Sequence, residues 1–387
     1  MRHLSPLFQL ILVSITAHVA LVVARITTSL YALSLHASEF TVGTLVALFA
    51  LFPMLLAVKM GRTIDRVGIA RPMMIGCVLV VAGCLMPSIV GGLAILYPAT
   101  LMIGTGFVAT HVAVQHAVGA MSAPGETSSN FSWLALGYSV SSFLGPVVAG
   151  FVIEDFSHSL AYALAAGSGA LAFLLIRSGR FAHATPPAKA PAERKGSLLD
   201  LLRLPEMRRI YLVSILLGSA WDLFSFIIPI YGTKIGFSAS TIGLVLGCFS
   251  FATLVVRLAM QWIARRYTEW QILASALAVA TLCYAVFPFM HSAASMMAVA
   301  AVLGLALGSA QPNVLALLHH TSPAGRAAEA VGIRVTISNA SQVALPLAFG
   351  AAGAAMGVVA IFWAMGACIG YGVPIAWRRA LGKENSA

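Results

Sequence analysis

The residues best placed to do chemistry in this sequence are a few ionisable side chains inside otherwise apolar segments. Asp222 lies near the middle of one such segment beside Trp221, and Arg25 lies inside another. A charged group within the hydrocarbon of a membrane is costly, so such residues usually pair or serve a function. We predict that Asp222 pairs with Arg25 and exchanges a proton when the pair opens. A static ion pair that only satisfies both charges is the alternative.

A second group of polar side chains is predicted to share one helix face. His111 and Gln115 are four residues apart, which places them on the same side of a helix. Gln311 and Asn313 occupy the corresponding segment 200 residues later. An imidazole titrates near neutral pH, and such groups can hydrogen-bond a solute. We predict these residues to line a solute or proton pathway, where His111 and Gln311 approach each other; helix packing is the alternative role.

The composition of the chain excludes a soluble domain. Of its 387 residues, 60% are hydrophobic and only 9% are charged, whereas a soluble domain carries about 25% charged residues. The formal net charge of +11 follows membrane orientation rather than a surface for nucleic acid, so no nucleic-acid partner is expected. The five cysteines lie in apolar runs without CxxC spacing. We interpret them as packing residues, not as disulfides or metal ligands.

Twelve segments are long and apolar enough to cross a bilayer as helices. They are predicted at 7–31, 41–60, 73–91, 93–118, 130–152, 159–177, 209–231, 240–262, 270–290, 294–318, 329–352 and 356–377. With twelve crossings, most of the 23 lysines and arginines fall on one side, and only Lys234 falls on the other. Basic residues favour the cytoplasmic side. We therefore expect both termini and the central loop to be cytoplasmic, in the inner (plasma) membrane.

The sequence repeats itself at an offset of 200 residues. The matching pairs include Tyr31 and Tyr231, Ser38 and Ser238, Gly104 and Gly304, and Pro146 and Pro346. Because each half has six predicted spans, both halves enter the membrane in the same orientation, as parallel repeats. The predicted fold is an all-α membrane protein of two six-helix bundles, at 1–177 and 207–387, joined by a polar cytoplasmic linker at 178–206.

The segment GRTIDRVGIAR between the second and third spans resembles a loop motif of the major facilitator superfamily. The residues that fit the motif are Gly61, Asp65, Arg66, Gly68 and Arg71. The resemblance implies twelve helices, transport by alternating access and a latch at this loop that stabilises the outward-facing state; the small glycines are expected to permit a tight turn. A basic loop that only sets topology is the alternative. Arg265 replaces the acid in the second half, so one complete latch is expected.

The fifth predicted span, SWLALGYSVSSFLGPVVAG, resembles the antiporter-type motif of the same family through Gly145, Pro146 and Gly150. Small residues there would let the fifth and eighth spans approach closely. The resemblance favours the drug/proton antiporter-like branch, and with it proton-coupled efflux of an amphipathic compound. Thr100 stands where antiporters of the family often have an arginine, so a proton relay that uses this arginine is not expected.

Other roles remain open at this point. An uptake symporter for a sugar or organic acid is the nearest alternative, and Arg25 would favour it by binding a carboxylate. A membrane-embedded enzyme or a passive channel is the alternative of another class. We expect a monomer that handles a small-molecule substrate and protons within membrane lipid, without a cofactor or metal ion.

Four more charged residues are predicted to make no specific contact. Arg257 and Arg334 lie near the cytoplasmic ends of their spans, where long basic side chains reach the interface. For Arg334, a contact with the latch region around Asp65 is the alternative. Glu39 and Glu154 fall in short periplasmic loops and are expected to be solvated.

Overall fold

The computed structural model describes residues 5–121, 127–178, 198–323 and 326–382, and within these ranges every regular element is a helix. The helices are α1 (Pro6–Ser34), α2 (Glu39–Val67), α3 (Ala70–Ile89), α4 (Leu96–Met121), α5 (Thr127–Asp155), α6 (His158–Ser178), α7 (Leu198–Arg203), α8 (Pro205–Lys234), α9 (Ala239–Ile263), α10 (Glu269–Val286), α11 (Ala293–Thr321), α12 (Ala327–Met356) and α13 (Val358–Ala380). Each predicted span coincides with one long helix, which confirms the all-helical class. Most of the predicted linker lies outside the described residues, and α7 falls within its remainder.

Eleven of the long helices in the described ranges are apolar and long enough to cross a membrane. The one that falls short is α12, because polar residues such as Asn339 and Gln342 interrupt its apolar sequence. Large apolar side chains also lie on the outside of the protein: Ile89 is 78% exposed and Leu282 is 66% exposed. Such a surface is unfavourable in water and favourable in hydrocarbon. The chain is an integral membrane protein.

The described helices form two compact units. One unit contains α1 to α6 together with Gly232–Gly247, which covers the end of α8 and the start of α9. In this unit α1 packs against α4, α5 and α6, and α3 packs against α4 and α6. The other unit contains α7, most of α8, the rest of α9 and α10 to α13. There α10 packs against α11 and α13, as α3 packs against α4 and α6.

A close contact between a glycine and a neighbouring helix occurs in the same form in both halves of the chain. A Cβ atom built on Gly104 of α4 would lie 2.1 Å from the carbonyl oxygen of Phe49 in α2. A Cβ atom built on Gly304 of α11 would lie 2.2 Å from the same atom of Phe249 in α9. No side chain fits at either distance. The same close approach of two helices is therefore made twice, 200 residues apart.

A tyrosine contact repeats in the same way. The hydroxyl of Tyr31, near the end of α1, accepts a hydrogen bond of 3.0 Å from the N–H of Gly92, in the loop between α3 and α4. The hydroxyl of Tyr231, near the end of α8, donates one of 3.0 Å to the carbonyl of Pro288, between α10 and α11. In each half, the tyrosine thus hydrogen-bonds to the segment between two equivalent helices. The hydroxyl of Tyr31 accepts this bond, whereas the hydroxyl of Tyr231 donates it.

Replacing Gly104 by alanine is expected to destabilise the protein by about 1–3 kcal/mol, because the added methyl group overpacks a contact with backbone that cannot move aside. The measurement is the midpoint of thermal unfolding of the purified protein in detergent. Gly167→Ala is the matched control, since a Cβ atom at this position of α6 would meet no atom within 4 Å. Equal midpoints for the two variants would contradict the prediction.

Candidate functional site

A chain of polar side chains crosses the first unit between α1, α5 and α4. The hydroxyl of Ser14 donates to the hydroxyl of Tyr138 over 2.6 Å, and this hydroxyl lies 2.8 Å from Nδ1 of His111. The other ring nitrogen of His111, Nε2, lies 2.9 Å from the amide nitrogen of Gln115. The structure thus brings His111 and Gln115 together as the sequence predicts, and adds two residues that sequence reasoning missed. We call Ser14, Tyr138, His111 and Gln115 the α1–α5–α4 relay.

Small residues on α5 allow the relay to form. A Cβ atom on Gly137 would lie 2.8 Å from the side chain of Ile15, so α5 can approach α1 closely only because this residue is glycine. One turn further, the hydroxyl of Ser141 donates to the carbonyl of Ile15 over 3.4 Å and to that of Gly137 over 2.9 Å. Tyr138 lies between these two contacts, which fixes its ring against α1.

A second histidine, His18, lies against the relay. Its ring meets the ring of Tyr138 edge-on at 4.9 Å between centroids, and it lies 5.6 Å from the ring of Phe107. Among the described residues, Nδ1 of His18 is buried and has no hydrogen-bond partner. Sequence reasoning missed His18, although it lies four residues after Ser14 and so shares its helix face.

The relay is suited to moving a proton or binding a solute. A neutral imidazole has one N–H and one acceptor nitrogen, so one ring nitrogen of His111 donates a hydrogen bond and the other accepts one. A proton that binds to the acceptor nitrogen can be released from the other nitrogen. Within the described residues, no group of three or more histidine, cysteine, aspartate or glutamate side chains could hold a metal ion. The chemistry available to these groups is therefore proton exchange and hydrogen bonding.

The second unit has a polar cluster of its own, centred on Arg257 of α9. Nη2 of Arg257 donates to Oε1 of Gln311 on α11 over 3.2 Å. The guanidinium carbon lies 6.0 Å from the centroid of the Trp221 ring on α8, a cation–π distance. The side chain of Arg257 thus contacts two neighbouring helices, which sequence reasoning missed, and its reach to the membrane interface stays a prediction. Trp221 itself meets Phe249 edge-on at 4.7 Å.

Two other predicted polar residues in the second unit make contacts outside this cluster. Nε of Arg334 on α12 donates to the hydroxyl of Ser214 on α8 over 3.2 Å, a contact that the sequence did not predict. The amide of Asn313 donates to the carbonyl of Ser309 over 2.7 Å, and its side chain is buried. The same amide lies 3.6 Å from Sδ of Met260 on α9, so Asn313 contributes to the packing of α11 against α9.

Asp222 and Arg25 belong to different units. Asp222 follows Trp221 on α8, and its side chain is partly buried. Arg25 lies on α1, about two turns after His18, and is also partly buried. The pairing of Asp222 with Arg25 stays a prediction.

The predicted packing glycines contact two different helices. A Cβ atom on Gly150 of α5 would lie 2.5 Å from the carbonyl oxygen of Ala239, and one on Gly243 would lie 2.4 Å from the carbonyl oxygen of Pro146. The end of α5 and the start of α9, both in the first unit, therefore touch through backbone. Gly145 instead faces α1, where a Cβ atom would lie 2.5 Å from the side chain of Val22.

Two acidic residues at the same end of the first unit make contacts that the sequence did not predict; Glu39 departs from the prediction that both are solvated, whereas Glu154 is exposed as expected. Glu39, at the start of α2, forms an ion pair with Lys234, at the end of α8. Only 16% of the Glu39 side chain is exposed. Glu154 accepts a hydrogen bond of 2.8 Å from the N–H of Ser240 in the first turn of α9. A carboxylate at a helix N-terminus is favourable, so Glu154 stabilises the position of α9.

The family of the chain follows from a comparison with known families. Residues 10–346 match the family described as Major Facilitator Superfamily. The chain belongs to this superfamily. No curated protein matches the sequence significantly.

Solved structures of superfamily transporters share its fold at low identity. A POT family transporter in complex with a thioalcohol-conjugated peptide is 13% identical with a TM-score of 0.81, over 96% of this chain and 96% of that chain. A mutant of a peptide transporter POT in complex with sulfate is 18% identical with a TM-score of 0.79, over 97% and 94%. A mutant of the nucleoside transporter NupG is 13% identical with a TM-score of 0.78, over 96% and 100%. Like the rest of the superfamily, this chain is a transporter and not an enzyme.

The superfamily loop motif adopts a different local structure from the one predicted. Helix α2 continues to Val67, so Gly61 lies inside the helix rather than in a turn, and a Cβ atom there would meet no atom within 4 Å. Gly68 alone makes the turn, with a φ of 81° that favours glycine. Arg66 and Arg71 are exposed. The side chain of Asp65 lies outside the described residues, and the latch stays a prediction.

Proposed function

We propose that the protein is a proton-coupled antiporter that exports an amphipathic solute by alternating access. In this proposal the chain crosses the inner (plasma) membrane twelve times as two six-helix bundles, with both termini in the cytoplasm. The observation that carries the coupling is the α1–α5–α4 relay, which holds a titratable imidazole between a tyrosine hydroxyl and an amide. In this proposal His111 of the relay and Asp222 each take up and release the coupled proton.

The chemistry of the two clusters supports an amphipathic solute. Aromatic rings lie beside polar groups in both units, with Phe107 next to His18 and Trp221 next to Arg257. Such surfaces combine apolar contact with a few hydrogen-bonding groups, which is typical of ligand sites. Helices α5 and α9 are the fifth and eighth predicted spans, which the superfamily motif predicts to approach closely. Their contact through Gly150 therefore supports the antiporter-like branch.

The direction of the proton gradient distinguishes export by antiport from uptake by symport. In proteoliposomes, an antiporter accumulates solute in the acidic compartment, whereas a symporter accumulates it in the alkaline one, whichever way the protein is inserted. We expect accumulation in the acidic compartment. The probe is a permanently charged quaternary ammonium dye, because a weak base would be trapped by acid without any protein, and protein-free liposomes give the background. Flux that ignores the gradient, or saturable accumulation on the alkaline side, would overturn the proposal.

Uptake of an organic acid by symport is the second candidate, and Arg257 favours it. A guanidinium held by Gln311 and Trp221 has the geometry to bind a carboxylate. One of the similar structures is of a peptide transporter, and another, of a POT family transporter, is in complex with a conjugated peptide. Peptides carry a carboxylate. The same proteoliposomes, with a labelled dipeptide as the probe, test this candidate through accumulation in the alkaline compartment.

A further inference from the structure

A basic cavity lies at the end of the second unit where α8 begins and α13 ends. Its volume is about 280 Å³. It is lined by Arg209 of α8 and by Tyr371, Pro374, Ile375 and Arg378 of α13. None of these residues belongs to the polar clusters of the proposed transport pathway.

One glutamate orients the basic side chains around this cavity. Glu206, in the first turn of α8, forms an ion pair of 2.7 Å with Arg209 and a second ion pair with Arg379 of α13. Arg378 forms no ion pair within the described residues. Among the described residues, the lining of the cavity contains two arginines, Arg209 and Arg378, and no acidic side chain, so it would attract an anion. Arginine is well suited to phosphate, which it binds through paired N–H groups.

The aromatic side chains near the cavity indicate which kind of anion it would hold. Trp377, in the last turn of α13, is 50% exposed, and Tyr371, which lines the cavity about two turns further into the helix, is 68% exposed. Exposed aromatic side chains near the ends of membrane helices lie at the level of the lipid headgroups. Basic pockets between such helices bind anionic headgroups. The cavity is near the lower end of the range for ligand sites, about 300–1,000 Å³, which suits a headgroup and not a whole lipid.

We propose that this cavity binds the phosphate of an anionic phospholipid, with Arg209 and Arg378 on its oxygens and the acyl chains along the outside of α13. The site lies apart from the proposed solute pathway and does not depend on the direction or coupling of transport.

Native mass spectrometry of the full-length protein tests the proposal. The protein in mild detergent is titrated with phosphatidylglycerol and, separately, with zwitterionic phosphatidylcholine. The wild type is expected to retain phosphatidylglycerol in preference. Arg378→Gln is expected to lower this binding about fivefold, the usual contribution of one arginine at an anionic membrane surface. Arg378 makes no ion pair with a described residue, so its replacement should leave folding intact; Arg209→Gln is the second variant.

The control is Arg177→Gln, which removes a basic residue from the last turn of α6, the equivalent of α13 in the first half. Addition of inorganic phosphate distinguishes a lipid headgroup from a free anion. Phosphatidylglycerol that stays bound in millimolar phosphate would support the lipid. Displacement by phosphate, equal retention of the two lipids, or equal losses in Arg378→Gln and Arg177→Gln would each overturn the proposal.

Discussion

Replacement of His111 by glutamine is expected to reduce acid-driven accumulation of solute at least about tenfold, because it removes the group that exchanges the coupled proton. Glutamine can still hydrogen-bond to Tyr138 and Gln115, so the packing of α4 against α5 should persist. It cannot take up a proton near neutral pH. The measurement is dye accumulation in proteoliposomes with an acidic lumen, compared with exchange of dye at equal pH on both sides.

The comparison of these two fluxes separates coupling from structure. If His111 carries the proton, accumulation falls while exchange at equal pH continues. If His111 only holds helices together, glutamine substitutes for it and both fluxes stay near the wild-type values. His116→Gln is the matched control, because His116 lies on the same helix about 140° around its axis from His111. Equal effects of the two substitutions would remove the assignment of His111.

The helices of this protein could be predicted from the sequence almost completely. An apolar run of sufficient length forms a helix in a membrane because each backbone group must be paired within its own segment. The prediction was least accurate where the sequence becomes polar, as at Gly61, which it assigned to a loop. There α2 continues to Val67, since a helix that leaves the hydrocarbon need not end where the apolar residues end.

The relay could be predicted only in part. The spacing of His111 and Gln115 on one helix was visible in the sequence, because neighbours on a helix face follow from its period alone. The contact with Tyr138 depends on how closely α5 approaches α1, and this distance is set by Gly137 and Ser141. Such packing joins residues more than a hundred positions apart, so local spacing does not reveal it.

The charged residues near the helix ends show the same limit. Glu39 and Lys234 are separated by about half of the chain, and nothing in either segment indicates their ion pair. Arg257 was assigned to the interface from its depth in the apolar run. Depth along a helix does not specify the direction of a side chain around it, and the partners Gln311 and Trp221 decide that direction.

Replacement of Asp222 by asparagine is expected to abolish proton-driven accumulation in a protein that still folds. Asparagine has nearly the shape of aspartate but carries no charge and takes up no proton in this range. If Asp222 exchanges the coupled proton, accumulation is lost and the dependence of the remaining flux on pH disappears. Asp155→Asn, at the exposed end of α5, is the control and should behave as the wild type. An unchanged pH profile in Asp222→Asn would exclude a coupling role.

The predicted partner of Asp222 is tested by a double-mutant cycle with Arg25→Gln. Removing one member of a buried ion pair leaves the other charge unpaired and costs about 3–5 kcal/mol. Removing both members should cost less than the sum of the single substitutions, because no unpaired charge remains. The midpoints of thermal unfolding of the four proteins give the interaction. Additive effects would show that Arg25 and Asp222 do not pair in the state that dominates in detergent, and coupling would then have to act through Asp222 without this arginine.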